Sequence, residues 1–322
     1  MFAYVGRRIL YSVPVMLVAS FILFWGVRIT FDPGEKFATS KDPTAIIRFR
    51  AKWHLNDSIP TQWFTWLKHI LRGDFGVSTR TNGDVFPLIT RALGTTLQLI
   101  IWGTLFSAII SVLIGVYSAV RQYSIPDYTF TALSYIGVAM PPFWFGLVAY
   151  QLLGPSLKGW LGLKNPWFYG VGLHKGDSSG IDLDYARHLV LPVMTLTVQS
   201  IAEWSRFQRS SMLDVLSSDF VRTAKAKGVP RRKVIFKHAL RNALTPLVTI
   251  MAVETAALFG GLVITEQIFS IPGMGRLFLT SLQTGDAYTL MAWFLVTAFF
   301  VIVFNLVADL FYTVLDPRVR LS

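Results

Sequence analysis

The sequence predicts an all-α integral membrane protein with six transmembrane helices, and three observations predict it. Of 322 residues, 53% are hydrophobic and only 15% charged, a balance that belongs to membrane-embedded chains rather than to soluble domains. Apolar stretches recur six times, each near the length that crosses a hydrocarbon core. The net charge of +12 is gathered unevenly between them, as expected where lysine and arginine are retained on one side of a bilayer. With no cysteine, disulfides, thiolate metal sites and cysteine nucleophiles are excluded.

The elements follow in order. Arg7 and Arg8 precede the apolar run from Ile9 to Val27, so residues 1–28 read as a cytoplasmic N-terminus and first span, kinked at Pro14. A cleaved signal peptide would have a shorter apolar core and a small-x-small site. Residues 29–93 are polar, with tryptophans at 53, 63 and 66, and predict an extracytoplasmic segment long enough to escape the positive-inside rule. Residues 94–322 form the transmembrane core, with spans at about 95–119, 130–153, 188–204, 245–264 and 290–314. Alternation puts 120–129 and 205–244 inside, 154–187 and 265–289 outside, and both termini in the cytoplasm. Charge agrees with that assignment. The 205–244 segment holds ten Lys/Arg against two acids, the 154–187 segment four against three, and the 265–289 segment Arg276 as its sole base.

The most informative stretch runs from Asp219 to Pro246. Arg222, Lys225, Lys227, Arg231, Arg232, Lys233, Lys237 and Arg241 stand there against the single acid Asp219. Ser217, Ser218 and Asp219 offer an N-cap, Ala224 and Ala226 favour helix, Gly228 suits a left-handed C′ position, and Pro230 suits the first turn of a second helix. Two short helices about Gly228-Val229-Pro230 result. In the second, Lys233, Lys237 and Arg241 repeat at i, i+4, with Ile235, Phe236, Ala239, Leu240 and Ala243 roughly opposite. A helix-turn-helix for nucleic acid would share these features, but the flanks here are membrane.

The pattern T-A-x-A-K-G followed by H-A-L-R-N-A-L-x-P resembles the EAA-type cytoplasmic loop of ATP-binding-cassette importer permeases, in the form carried by dipeptide and oligopeptide permeases. Where the family has Glu-Ala-Ala before the glycine, this chain has Arg222-Thr223-Ala224, and one acidic contact is lost. The likeness extends through Gly73-Asp74-Phe75-Gly76-Val77-Ser78, Pro126-Asp127-Tyr128, Pro141-Pro142, Glu266 to Gly275, and Asp316-Pro317-Arg318. It implies that Asp219, Arg222, Thr223, Ala224, Ala226, Lys227, Gly228, Arg231, Arg232, His238 and Arg241 form an ATPase-coupling loop. It also implies a second homologous permease subunit, two ATP-binding subunits, an extracytoplasmic substrate-binding protein and a peptide substrate. Importers of nickel, glutathione or a short glycan share this architecture. A secondary transporter or channel would need no basic docking loop.

Other chemistry is missing. No G-x-x-x-x-G-K-[ST] loop is present, so ATP hydrolysis is expected in partner chains rather than here. His54, His69, His174, His188 and His238 lack H-E-x-x-H spacing, no G-x-S-x-G elbow occurs, and no cofactor is expected. Glu254, near the middle of the fifth expected span, either lines the translocation path or pairs with a neighbouring helix. Glu203 and Arg206 suggest an interfacial pair, and Gly260-Gly261 close helix packing.

Overall fold

A computed structural model describes residues 2–34, 43–175 and 180–315, most of them helical. The C-terminal Asp316-Pro317-Arg318 lies outside the described residues. Among those described, the isolated Val77–Asp84 bridge is the one β contact. The helices are α1 (Phe2–Thr30), α2 (Pro43–Lys52), α3 (Ile59–Ile70), α4 (Val85–Val120), α5 (Ile125–Ala139), α6 (Pro142–Gln151), α7 (Leu157–Trp160), α8 (Leu183–Leu216), α9 (Asp219–Ala226), α10 (Arg231–Lys233), α11 (Leu240–Gly261), α12 (Val263–Ile268), α13 (Met274–Gln283) and α14 (Ala287–Leu315).

Three of them, α1, α4 and α14, are long and apolar enough to cross a membrane, and α5 with α6–α7 makes a fourth if that bent pair is one span. The pair turns by 107° at its break, so residues 130–153 do not form the unbroken helix expected. Proline chemistry explains the bend. Met140 and Pro141 are extended, with ψ of 123° and 130°, because each precedes a proline that disfavours helical backbone before it. The stretch expected at 188–204 lies inside α8, a 34-residue helix that also carries Asp184, Arg187, Glu203, Arg206, Arg209 and Asp214. These charges lower its apolarity.

The chain divides into two compact units. The first comprises Met1–Thr96, Phe259–Val263 and Pro272–Val303. Its core joins Phe24 and Val27 of α1 to Trp53, Trp63, Trp66, Ile89, Met274, Tyr288 and Trp293. The three tryptophans of the polar segment are therefore core residues. Buried polar groups fix the arrangement: Ser78 Oγ donates to Asp286 Oδ2 at 2.5 Å, Thr289 Oγ1 donates to the same oxygen at 2.9 Å, and Trp293 Nε1 donates to the Met274 carbonyl at 2.7 Å. Gly76 has φ of +87°, and a Cβ there would stand 2.7 Å from the Tyr288 ring, so both backbone and space require glycine.

The second unit comprises Leu97–Leu258, Ile264–Ile271 and Phe304–Ser322. Small residues let α5 and α8 approach closely, and a Cβ on Gly137 would lie 2.9 Å from that of Ala202. Ser134 and Ser205 share a hydrogen bond of 3.2 Å nearby. At the start of α5, buried Asp127 accepts Arg209 Nε at 2.7 Å and Arg209 Nη2 at 2.9 Å. This bidentate geometry is the strong form of a carboxylate–guanidinium pair.

Candidate functional site: the basic helical elbow

The elbow grows out of the end of α8. Ser217 caps that helix, Ser218 adopts the extended N-cap conformation (φ −68°, ψ 154°), and α9 begins at Asp219. Arg222 reaches Asp219 at 3.6 Å, but both side chains are exposed, so this pair contributes little. Lys227 is the C-cap, and Gly228 takes φ of +72°. The Gly228 amide donates to the Lys225 carbonyl at 3.0 Å and the Val229 amide to Ala224 at 3.2 Å. That 5→2 and 6→1 combination is a Schellman motif, and it closes the orphaned carbonyls of α9. Pro230 then serves as the N-cap of α10, one position before the first turn assigned from sequence.

From Arg231 the helix does not stop where the second short helix was expected to end. A π turn at Val234–Ala239 carries α10 straight into α11, because no breaker stands between Arg231 and Pro246. The π turn inserts one extra residue and shifts the face. The buried row is Val234, Ala239 and Ala243, packed with Val221 of α9, Val116 and Ala119 of α4 and Met212 of α8. Phe236, expected on the apolar face, is instead 61% exposed among Arg232, Lys233 and Lys237. Phe220 on α9 is likewise exposed.

Of the residues singled out from sequence, Asp219, Arg222, Thr223, Ala226, Lys227, Gly228, Arg231, Arg232 and Arg241 are exposed, while Ala224 and His238 are half-buried. They lie on one continuous stretch that shares a small apolar core with α4 and α8. Glu254 lies elsewhere, on α11, where Trp204 Nε1 donates to its Oε2 at 2.5 Å. Of the two readings open for Glu254, the structure supplies the neighbouring-helix partner. Arg206 does not pair with Glu203 among the described residues and stands 4.9 Å from the Tyr135 ring centre. Sequence reasoning missed the Asp127–Arg209 pair, whose members are 82 positions apart. It also missed that His174, Asp182 and Asp184 meet within 4.8 Å. There Asp182 caps α8 through the Tyr185 amide, and Asp184 accepts the Lys175 amide.

Long apolar helices together with an exposed basic elbow define a polytopic membrane protein. Residues 111–321 match the family described as binding-protein-dependent transport system inner membrane component, and the chain belongs to that family. It is 39% identical to the oligopeptide transport system permease protein AppB of Bacillus subtilis, over 99% of this chain and 100% of the relative. It is 35% identical to the dipeptide transport system permease protein DppB of Alkalihalophilus pseudofirmus, over 99% and 100%. The oligopeptide transport system permease protein OppB of Mycobacterium bovis is 35% identical over 99% of each chain. The chain is thus a permease subunit of a transport system, carried in a membrane on several helices.

Proposed function

We propose that this chain is half of the translocation path of an ATP-driven importer of di- or oligopeptides, and that the elbow from Asp219 to Arg241 is where ATPase motion enters it. The relatives named above, matched end to end, support the peptide substrate. The observation that carries the coupling role is the elbow's construction. Its apolar residues Val221, Val234, Ala239 and Ala243 are buried against Val116 and Ala119 of α4 and Met212 of α8, while Phe220, Phe236 and eight basic side chains face outward. A capped, cored element moves as one body, whereas a solvated loop would absorb displacement. Closure of two ATP-binding subunits would drive this body and, through continuous α10–α11, the span that follows. Nucleotide can shift the gate only if the elbow binds two ATPase states with unequal affinity.

The remaining partners are a second homologous permease subunit and an extracytoplasmic binding protein. The six-span topology with both termini cytoplasmic is supported on each face separately. Residues 53–70, 274 and 287–288, all assigned outside, share one core; Asp127 and Arg209, each within a segment assigned inside, share one ion pair. We place Glu254, held by Trp204, beside the path.

Co-purification with the ATPase subunits tests the reading. Reversing charge with Arg231→Glu and Arg232→Glu is expected to abolish association while leaving membrane insertion intact, since both side chains are exposed. Retained association, or peptide uptake without any ATPase, overturns it.

A further inference from the structure

Within the first unit a cavity of 430 Å³ is lined by Arg80, Arg91 and Arg276 over an apolar floor of Leu88, Ala92 and Leu277. No acidic side chain lines it. Among the described residues neither Arg80 nor Arg91 has a carboxylate partner, although both are exposed. The like charges of Arg80 and Arg91 on one concavity raise its potential and favour an anion. The guanidinium fork matches a phosphate bidentately, and arginine is weakly hydrated enough to be held against apolar surface.

The depth of the cavity says which phosphate. Arg91 is the last charged residue before an uninterrupted uncharged run that ends at Arg121. With 36 residues, α4 is about 54 Å long, well beyond the roughly 30 Å of hydrocarbon it has to cross. Its first turns therefore lie among headgroups, and exposed Phe86 one turn before Arg91 sits where aromatic side chains mark that zone. Ala92 follows Arg91 into the uncharged run of α4, while Leu88 lies about one turn nearer water. The lining also includes Gly273, the N-cap of α13, which makes no side-chain cap.

We propose that this cavity is a binding site for the phosphodiester of an anionic phospholipid, with Arg80 and Arg91 on the headgroup and the uncharged run of α4 that follows Arg91 beside the acyl chain. A zwitterionic lipid offers the same phosphate, but its quaternary ammonium would face the guanidinium groups of Arg80 and Arg91. Phosphatidylglycerol is accordingly retained over phosphatidylcholine.

The test uses the full chain assembled with its partner subunits, reconstituted in equal phosphatidylglycerol and phosphatidylcholine, then extracted and weighed by native mass spectrometry. Phosphatidylglycerol is expected to stay bound preferentially. The double variant Arg80→Gln, Arg91→Gln is expected to hold it about thirtyfold more weakly, at about fivefold per charge lost. Arg72→Gln, which removes an exposed arginine outside the cavity, is expected to change nothing. Should the double variant fail to assemble, the unaltered complex decides: short-chain phosphatidylglycerol should raise its melting temperature and short-chain phosphatidylcholine should not. Equal retention of the two lipids overturns the proposal, as does equal loss in Arg72→Gln. Displacement of the lipid by millimolar inorganic phosphate also overturns it, by showing a free-anion site instead.

Discussion

Gly228 shows how much a single residue decides here. Its φ of +72° lies in the left-handed region, yet a Cβ at that position would meet nothing within 4 Å. The cost of a side chain is therefore backbone strain alone, roughly 1–2 kcal/mol for an ordinary L residue and less for asparagine. Thermal unfolding of the complex should rank Gly228 above Asn, Asn above Ala and Ala above Val; equal melting of all four would mean the turn is not held in this conformation. Asp74 makes the case for pH. Burial pushes its pKa up, but the Gly76 amide, the His69 ring and Lys52 together outweigh burial and leave it below the ordinary carboxylate value. A depressed carboxylate contributes stability that is fully present above its unfolded pKa of about 3.9 and lost as pH falls through the lower folded value. Fluorescence of the nearby tryptophan cluster should stay flat from neutrality down to about pH 4 and change below it. In Asp74→Asn that acid transition should shrink; an unchanged transition would assign it to another group.

Among the elements, the elbow was half legible. Its glycine turn could be read because capping is chemistry between residues a few positions apart, and Gly228 with Val229 and Pro230 carries that chemistry in order. The π turn could not be read, since nothing in Val234–Ala239 announces an extra residue per turn, and missing it rotated Phe236 to the wrong face. Pairings such as Trp204 with Glu254, 50 positions apart, and Arg209 with Asp127 were invisible for a different reason: helical period says which face a residue occupies, not which helix it meets. Phe220 and Phe236 are 47% and 61% exposed amid like charge, where water gives them no reason to be conspicuous. As aromatic anchors in an ATPase groove, each should cost about tenfold to a hundredfold in ATPase affinity when cut to alanine. The permease alone should be no less stable, because neither side chain is in its core. If affinity is unchanged while basic substitutions abolish it, the contact is purely electrostatic and the anchors are refuted.

At the level of the whole molecule, the Asp127–Arg209 pair favours α5 and α6–α7 as a broken span over a loop that dips in and returns. The 107° bend then lies within one crossing, and the consequence propagates. If the pair crosses, Arg121 and Leu161 lie on opposite sides, and the elbow after α8 falls on the same side as Arg121. If it re-entered, Arg121 and Leu161 would share a side and α8 would carry the elbow to the opposite one, away from Arg121, whereas the Asp127–Arg209 ion pair holds the start of α5 beside the end of α8. The chain contains no cysteine, so single-cysteine variants at Arg72, Arg121, Leu161 and Lys225, all exposed, need no background removed. A membrane-impermeant maleimide on intact cells should modify the variants at 72 and 161 at once, and those at 121 and 225 only after permeabilisation. Labelling of 121 and 161 from the same side would establish the re-entrant geometry. Labelling of 225 from outside would place the elbow beyond reach of ATP, and the coupling role proposed for it would fail whatever its sequence resembles.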